Sequence, residues 1–339
     1  MVKLNIDLPE SFFQEEERDG YLVSAKKKEL WAVQLDILNE FDRVCRKHNL
    51  RYILDFGTLL GAVRHNGFIP WDIDIDVSML RDDYEKLMEI GPSEFRYPYF
   101  LQNQDTDDNH YGVPISRLRR SDTCFFHGGN IIYHYQYNQG IFLDILPLDN
   151  LPSNDLNDIE PILKMSKQLL QRAVVVAHKP RIQMGYWYPV IMLKYMYYRL
   201  RCGNSNKQFK LLDSFAQSFE YSGYFGCLMT GYPICRPKQW YEESVDLPFE
   251  TLSLRAPKAY DELLRTYYGD YMTPVVFENH VPYFSASRSY KDVMADKVLY
   301  QKLFNDVYSN DSFNIVVKTL WTGFKKKIHL PYCFDKTST

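Results

Sequence analysis

A chain of 339 residues can bury one large core or two modest ones, and 45% hydrophobic with 24% charged residues is the composition of an ordinary soluble protein. A formal net charge of −3 supplies no bulk attraction for nucleic acid, so no nucleic-acid partner is expected. The opening MVKLNIDLPESFFQEEERDG lacks the apolar run of a secretory signal, and no segment offers about 18 uninterrupted apolar residues, so no spanning helix is expected. Six scattered cysteines, with only Cys227 and Cys235 close together, fit reduced thiols and a cytoplasmic location better than a disulfide framework. An aromatic fraction of 16%, with 27 tyrosines, points toward contact with glycans or a membrane interface.

In chain order, residues 1–25 read as a polar arm. From Lys26 to His48 a helical stripe is carried by Leu30, Val33, Ile37, Phe41 and Val44, with Leu38 and Cys45 beside it. An apolar strand at Tyr52–Leu54 leads through Gly57-Thr58 into a short apolar helix, Leu59–Val63, which closes at Asn66-Gly67. That turn sets free backbone N–H groups at a helix start, where a phosphate binds readily. The Gly-x-x-x-Gly of Gly57 to Gly61 also occurs in plain turns, and gains meaning only from its flanks.

Residues 71–77, WDIDIDV, alternate strictly. On a strand this places Trp71, Ile73, Ile75 and Val77 on one face and Asp72, Asp74 and Asp76 on the other, roughly 6.6 Å apart in steps of two. Three carboxylates with no Lys or Arg between them repel one another unless a cation joins them, and hard oxygen ligands suit Mg2+ or Mn2+. A phosphate-binding turn followed by an acidic strand points to phosphoryl-transfer chemistry.

Beyond it a helix is expected from about Arg81, with Tyr84, Leu87 and Met88 inward. Arg117-Leu118-Arg119 reads as a strand with both guanidinium groups on one side, and Ile141–Asn150 as an apolar strand interrupted by Asp144. A buried charge of that kind needs a partner or a metal. Residues 155–220 are helix-like and rich in Tyr, Met, Lys and Arg; turns and short elements resume at about Met229, and YDELLRTYYGDYM is again helix-like. Two stretches interleave aromatic with basic residues: MGYWYPVIMLKYMYYRLR from Met184 and VVKTLWTGFKKKIHL from Val316. Both are expected either to touch a membrane surface peripherally, at the inner face, or to be core helices.

LDFGTLLGAVRHNGFIPWDIDID resembles the signature of the LicD/fukutin family of phosphotransferases, and the likeness continues through RLRRSDT, GIFLDILPLDN, LPFE and YDELLRTYYGDYM. It spans about Leu30 to His280. Two departures stand out: the family usually has a further Asp where this chain has Ile73, and often a Gly where it has Phe56, a side chain that could narrow a nucleotide pocket. The resemblance implies an α+β protein: a nucleotidyltransferase-like core with a small mixed β-sheet flanked by helices, plus a helical subdomain. Taken with the changes of character along the chain, the expected division is an arm at 1–25, a catalytic core at 26–152, a helical subdomain at 153–228, the remainder of the LicD-like region at 229–285 and a basic amphipathic tail at 286–339.

The activity implied is transfer of a phosphocholine-like, alditol phosphate or sugar phosphate group from a CDP-activated donor to a hydroxyl of a surface glycan (teichoic acid, lipopolysaccharide or capsule), with release of CMP. Asp74 and Asp76 then match the paired metal-binding acids, against a solvated strand face as the plain alternative. Asp144 fits the third carboxylate, completing the metal site or drawing the acceptor's proton; its alternative is an ion pair with Arg117 or Arg119. Asp72 either orients a metal-bound water or caps the preceding turn. Gly57 and Thr58 would hold the donor, and Arg64, Arg117 and Arg119 are candidates to clamp its diphosphate, each weighed against a structural salt bridge.

His65 and His280 are weaker candidates, and Cys124, His127 and His134 fall short of a zinc site's ligand set. Two rival readings remain. A metal-dependent glycosyltransferase also uses Asp-x-Asp but leaves the whole diphosphate on the nucleoside, and a non-catalytic nucleotide- or glycan-binding module would bind without turnover.

Overall fold

The computed structural model describes residues 1–107, 113–127, 131, 136–180, 188–220, 222–231, 235–276 and 282–309. Its N-terminal segment corrects the expected polar arm. Val2, Leu4, Ile6 and Leu8 alternate with exposed residues and all pack on the core, a period-two pattern that the surrounding charges obscure. The Asn5 N–H donates to Asp36 at 2.5 Å and the Val2 N–H to the Ala286 carbonyl at 2.6 Å. A hairpin follows, β1 (Glu16–Arg18) and β2 (Tyr21–Val23), turning through Asp19 and Gly20.

Helix α1 (Ala25–Lys47) starts on the Ser24 side chain, which accepts the Lys27 N–H at 3.2 Å. It buries the expected stripe, including Leu30, Val33, Ile37, Phe41 and Val44. Next come β3 (Ile53–Leu54), α2 (Phe56–His65), β4 (Asp76–Leu80), α3 (Arg81–Glu94), β5 (Tyr99–Gln102), β6 (Ser116–Arg120), β7 (Cys124–Phe126) and β8 (Ile141–Leu151). Three helices then run in succession, α4 (Leu156–Ala177), α5 (Tyr188–Cys202) and α6 (Ser205–Ala216). The chain returns through β9 (Tyr224–Gly226), β10 (Arg236–Pro237), the hairpin β11 (Ser244–Phe249) and β12 (Leu252–Pro257), α7 (Tyr260–Tyr268), β13 (Tyr283–Ser285), α8 (Tyr290–Ala295) and α9 (Lys297–Ser309). The stretch from Val316 and the lysines within it lie outside the described residues.

The architecture mixes helices with a mixed sheet. Among the described residues its seven strands run β10-β9-β8-β4-β3, with β6 also on β8 and β5 on β6. β4 and β8 are parallel, and the other pairs antiparallel. Most of β8 is apolar and buried between its neighbours; its second carboxylate, Asp149, is neutralised by Arg81 at 2.5 Å.

The acidic stretch departs from its expectation as a single strand over residues 71–77. The ladder begins only at Asp76, where β3 ends; β8 runs on to Ile141, but its first residues pair with β6 and the chain before Ile75 leaves its edge. The Asp144 N–H still donates to the Ile75 carbonyl at 2.9 Å and the Asp55 N–H to the Asp76 carbonyl at 3.2 Å. Upstream, side chains of α1 take over from strand partners. Lys27 Nζ donates to the Pro70 carbonyl at 2.5 Å and Gln34 Nε2 to the Ile73 carbonyl at 2.9 Å. Alternation survives in the burial of Trp71 and Ile75 and the exposure of Asp74, with Ile73 half-buried against the core.

Candidate active site

The site forms where α2 starts beside the carboxylates of β4 and β8. Asp55 caps the helix, its Oδ1 accepting the Phe56 N–H at 2.8 Å. The Leu59 N–H makes the first turn's bond back to the Asp55 carbonyl at 3.1 Å, so the amides of Gly57 and Thr58 precede any intrahelical partner. Phe56 has a φ of 45°, a left-handed conformation that explains why glycine suits this position. Its ring stacks on Tyr267 at 5.4 Å instead of standing free in the cleft.

Thr58 is buried, and its hydroxyl accepts the Asp76 backbone N–H at 2.8 Å. The side chain expected to hold the donor thus joins the helix start to the acidic strand. Gly57 has a comparable purpose, since a Cβ there would overlap the Asp72 carboxylate. Asp72 therefore rests on the first turn of α2, where the helix dipole favours a negative charge, and its Oδ1 accepts the Ile73 N–H at 3.0 Å. At Gly61 a Cβ would overlap the Gly67 carbonyl. The two glycines of the Gly-x-x-x-Gly thus admit an acid and a turn in succession.

These contacts yield a prediction. Gly57→Ala should leave stability within about 1 kcal/mol, because the better helix former offsets a small displacement of a flexible carboxylate. Turnover should nevertheless fall by about tenfold or more as Asp72 is pushed from the helix start. Thermal melting and steady-state rates on the same preparation check this, and an unchanged rate would show that Asp72 has no part in the reaction.

Asp76 and Asp144 are direct partners across the parallel pair β4–β8, so their side chains share one face. Arg117 is the partner of Asp144 on the other side, and its Nε donates to Asp144 Oδ1 at 2.5 Å and its Nη2 to Oδ2 at 3.3 Å. The ion-pair alternative for Asp144 is thus present, and it leaves the carboxylate oriented beside Asp76. Burial, then Asp74, Asp144, Asp72 and Asp55, raises Asp76 well above the usual carboxylate range. Asp74 is open to solvent on one side, yet desolvation by its surroundings, followed by the Asp72 and Asp144 charges, pushes it up to about 8.

Such crowding suits a cation. Among the described residues no three His, Cys, Asp or Glu side chains converge closely enough to cage a metal unaided. Mg2+ does not require that: it is commonly held by one or two carboxylates and completes its shell with water and substrate phosphates. The oxygen chemistry of Asp76 and Asp144, facing partners across β4 and β8, fits such shared binding.

The arginines separate into different roles. Arg117 and Arg119 lie over the same Phe142 ring at 4.1 and 4.9 Å, as their spacing requires. Arg119, however, is buried, with Nε on Gln102 at 2.5 Å and Nη1 on the Gly140 carbonyl at 2.7 Å, so in this arrangement it braces the sheet and is not presented to a diphosphate. Arg64 is not brought to the acids. It sits near the end of α2, about 10 Å along the axis from Gly57, and donates to the Tyr271 carbonyl at 2.8 Å. His65 pairs with Asp19 at 2.9 Å, and burial followed by Arg64 lowers its pKa; His280 and His134 lie outside the described residues. Burial, Arg117 and Arg119 push His127 down to about 4, while Cys124 sits in a separate apolar cluster.

Several contributors escape sequence reasoning. Arg236 is fully buried, bonded through Nη1 to Asp55 at 2.7 Å and to the Tyr241 hydroxyl at 3.0 Å, and its guanidinium lies over Phe56 at 5.2 Å and Tyr267 at 5.1 Å. Ser78 also donates to Asp55. Tyr268 is 43% exposed, yet desolvation by its surroundings, then the charges of Asp55, Asp76 and Asp72, raises its phenol. Glu250 of LPFE accepts from Arg18 at 2.6 Å and from the Phe68 N–H at 3.1 Å, fixing the turn before the acidic loop. Lys27, pushed down to about 8 by burial against the pull of Asp72, was visible as a polar residue on α1's apolar stripe, as was Gln34.

Residues 49–158 match the family model described as LicD/FKTN/FKRP, nucleotidyltransferase domain. The chain is similar to the lipopolysaccharide cholinephosphotransferase LicD of Haemophilus influenzae, 27% identical over 262 residues that cover 76% of this chain and 95% of the relative. It also resembles the uncharacterized protein RP689 of Rickettsia prowazekii, 30% identical over 148 residues, covering 43% of this chain and 49% of that protein.

Proposed function

The chain carries a LicD-family domain over residues 49–158, and from that premise we propose that it is a metal-dependent phosphotransferase built on a nucleotidyltransferase-like core. It moves a phosphocholine-like or alditol phosphate group from a CDP-activated donor to a hydroxyl of a surface glycan. The observation that carries the reading is the facing pair Asp76 and Asp144 across β4 and β8, with Asp72 at the start of α2 and Asp74 close enough to Asp72 to feel its charge. The similarity to the Haemophilus protein favours choline phosphate as the group moved and lipopolysaccharide as the acceptor class, with teichoic acid or capsule as other acceptors.

Asp74 and Asp76, with Asp144 beside them, would hold Mg2+ or Mn2+, which when bound supplies neutralisation of the donor's diphosphate charge. The free amides of Gly57 and Thr58 receive phosphate oxygens at the positive end of α2. Tyr268, close to the acids, offers a ring to the cytidine or to the cationic head of the moved group. Asp144, held in line by Arg117, takes the proton of the acceptor hydroxyl. The new bond joins the acceptor oxygen to the phosphorus distal to cytidine, the phosphoanhydride bond breaks, and CMP leaves with its electrons.

Incubating the full chain with CDP-choline, CDP-alditols, CTP and UDP-sugars, with Mg2+ or Mn2+ and a glycan acceptor, tests the proposal. CMP release that stops with chelator, coupled to an acceptor heavier by one substituted phosphate, is the expected result. UDP or pyrophosphate as the sole nucleotide-side product would move the enzyme to glycosyl or nucleotidyl transfer, and tight donor binding without turnover would make it a binding module.

A further inference from the structure

Helix α5 (Tyr188–Cys202) has two unlike faces. Ile191, Tyr195, Tyr198 and Cys202 are half-buried and recur at helical spacing, and the helix packs on α4. On the other side Val190, Leu193, Met196, Tyr197 and Leu200 are 42, 69, 50, 54 and 85% exposed. At about 100° per residue these five side chains share an arc of about 120°, so they form a continuous apolar stripe, not scattered surface residues.

The charges around the stripe identify its partner. Lys194 and Arg201 border the arc on one edge and Arg199 on the other, and the helix contains no Asp or Glu. A second copy of the chain meeting the stripe about a two-fold axis would bring like charges together with no acid on the helix to answer them. The aromatic-basic stretch from Val316 would do the same, because it too has lysines and no acid. No described helix is long and apolar enough to cross a membrane.

We propose that α5 docks on the surface of a bilayer containing anionic lipid. The apolar arc enters the boundary between headgroups and acyl chains, while the exposed Arg199 and Arg201 meet the anionic headgroups. This goes beyond the transfer reaction and holds whichever group is moved; its consequence is that a lipid-borne acceptor is approached along the membrane plane.

The test is co-sedimentation of the full chain with vesicles of phosphatidylglycerol mixed into phosphatidylcholine, and with pure phosphatidylcholine vesicles, at low and high salt. Binding to the anionic vesicles at low salt, released at high salt, is expected. Leu193→Glu/Leu200→Glu alters two widely exposed side chains, so melting should not change, while binding should fall about tenfold or more. Arg199→Gln/Arg201→Gln should weaken binding to the anionic vesicles only. The proposal is overturned if the parent ignores anionic vesicles at low salt, or if both double variants bind as the parent does. It is equally overturned if the parent is a dimer that Leu193→Glu/Leu200→Glu splits, since a second copy then covers the stripe.

Discussion

Asp76→Asn is expected to abolish turnover, by about three orders of magnitude or more, in a protein that remains fully folded. Asp76 begins β4 opposite Asp144, and its backbone N–H is already held by Thr58. An amide keeps the size of the side chain and the ladder, and removes one negative charge from the proposed cation site. A loss of that size is about 4 kcal/mol of transition-state stabilisation, within what a lost metal ligand removes. Burial and four neighbouring carboxylates disfavour the Asp76 charge, so its removal should leave the ligand-free protein at least as stable as the parent. Asp74→Asn should behave similarly in turnover. Near-normal rates in a well-folded Asp76→Asn protein would remove the carboxylate row from the mechanism.

Arg236→Met should cost about 3–5 kcal/mol of stability, the largest effect expected away from the acids. Arg236 and Asp55 are both wholly enclosed, and their 2.7 Å contact is the only ion pair recorded for either among the described residues. Nε and Nη2 of Arg236 make no hydrogen bond to described residues, so the guanidinium relies on the faces of Phe56 and Tyr267 as well as on Asp55. Methionine fills much of the volume but leaves a buried carboxylate facing, among the described residues, Ser78, the Phe56 amide and the Tyr267 hydroxyl. Because Asp55 caps α2, the helix start beside Asp72 should loosen too. Urea unfolding measures the loss, and Asp55→Asn/Arg236→Met should recover part of it by removing both charges. A loss below about 1 kcal/mol would mean that the pair adds little over an apolar contact.

What the sequence determined by itself was periodicity and local chemistry. The stripe of α1, the apolar run of β8 and the start of α3 are repeats in residue type that burial selects directly, and they appear where the spacing placed them. Gly57 and Thr58 at a helix start and two guanidinium groups sharing one side of β6 were readable for the same reason, since each depends only on neighbours along the chain.

Tertiary structure decided everything that depends on a distant partner. Alternation over residues 71–77 promised one strand, but a strand exists only where a neighbour supplies hydrogen bonds; β3 ends at the level of Asp76, and before Ile75 the chain leaves the edge of β8, whose first residues pair with β6. That leaves Asp74 on a loop held by Lys27 and Gln34 of α1. Arg119 and Arg117 look alike in sequence, yet Gln102 and the Gly140 carbonyl engage one and Asp144 the other. The pairing of Arg236 with Asp55 joins residues 181 positions apart and has no local signature. A buried charge is tolerated only where the fold delivers its counter-charge, and periodicity carries no information about which distant side chain that is.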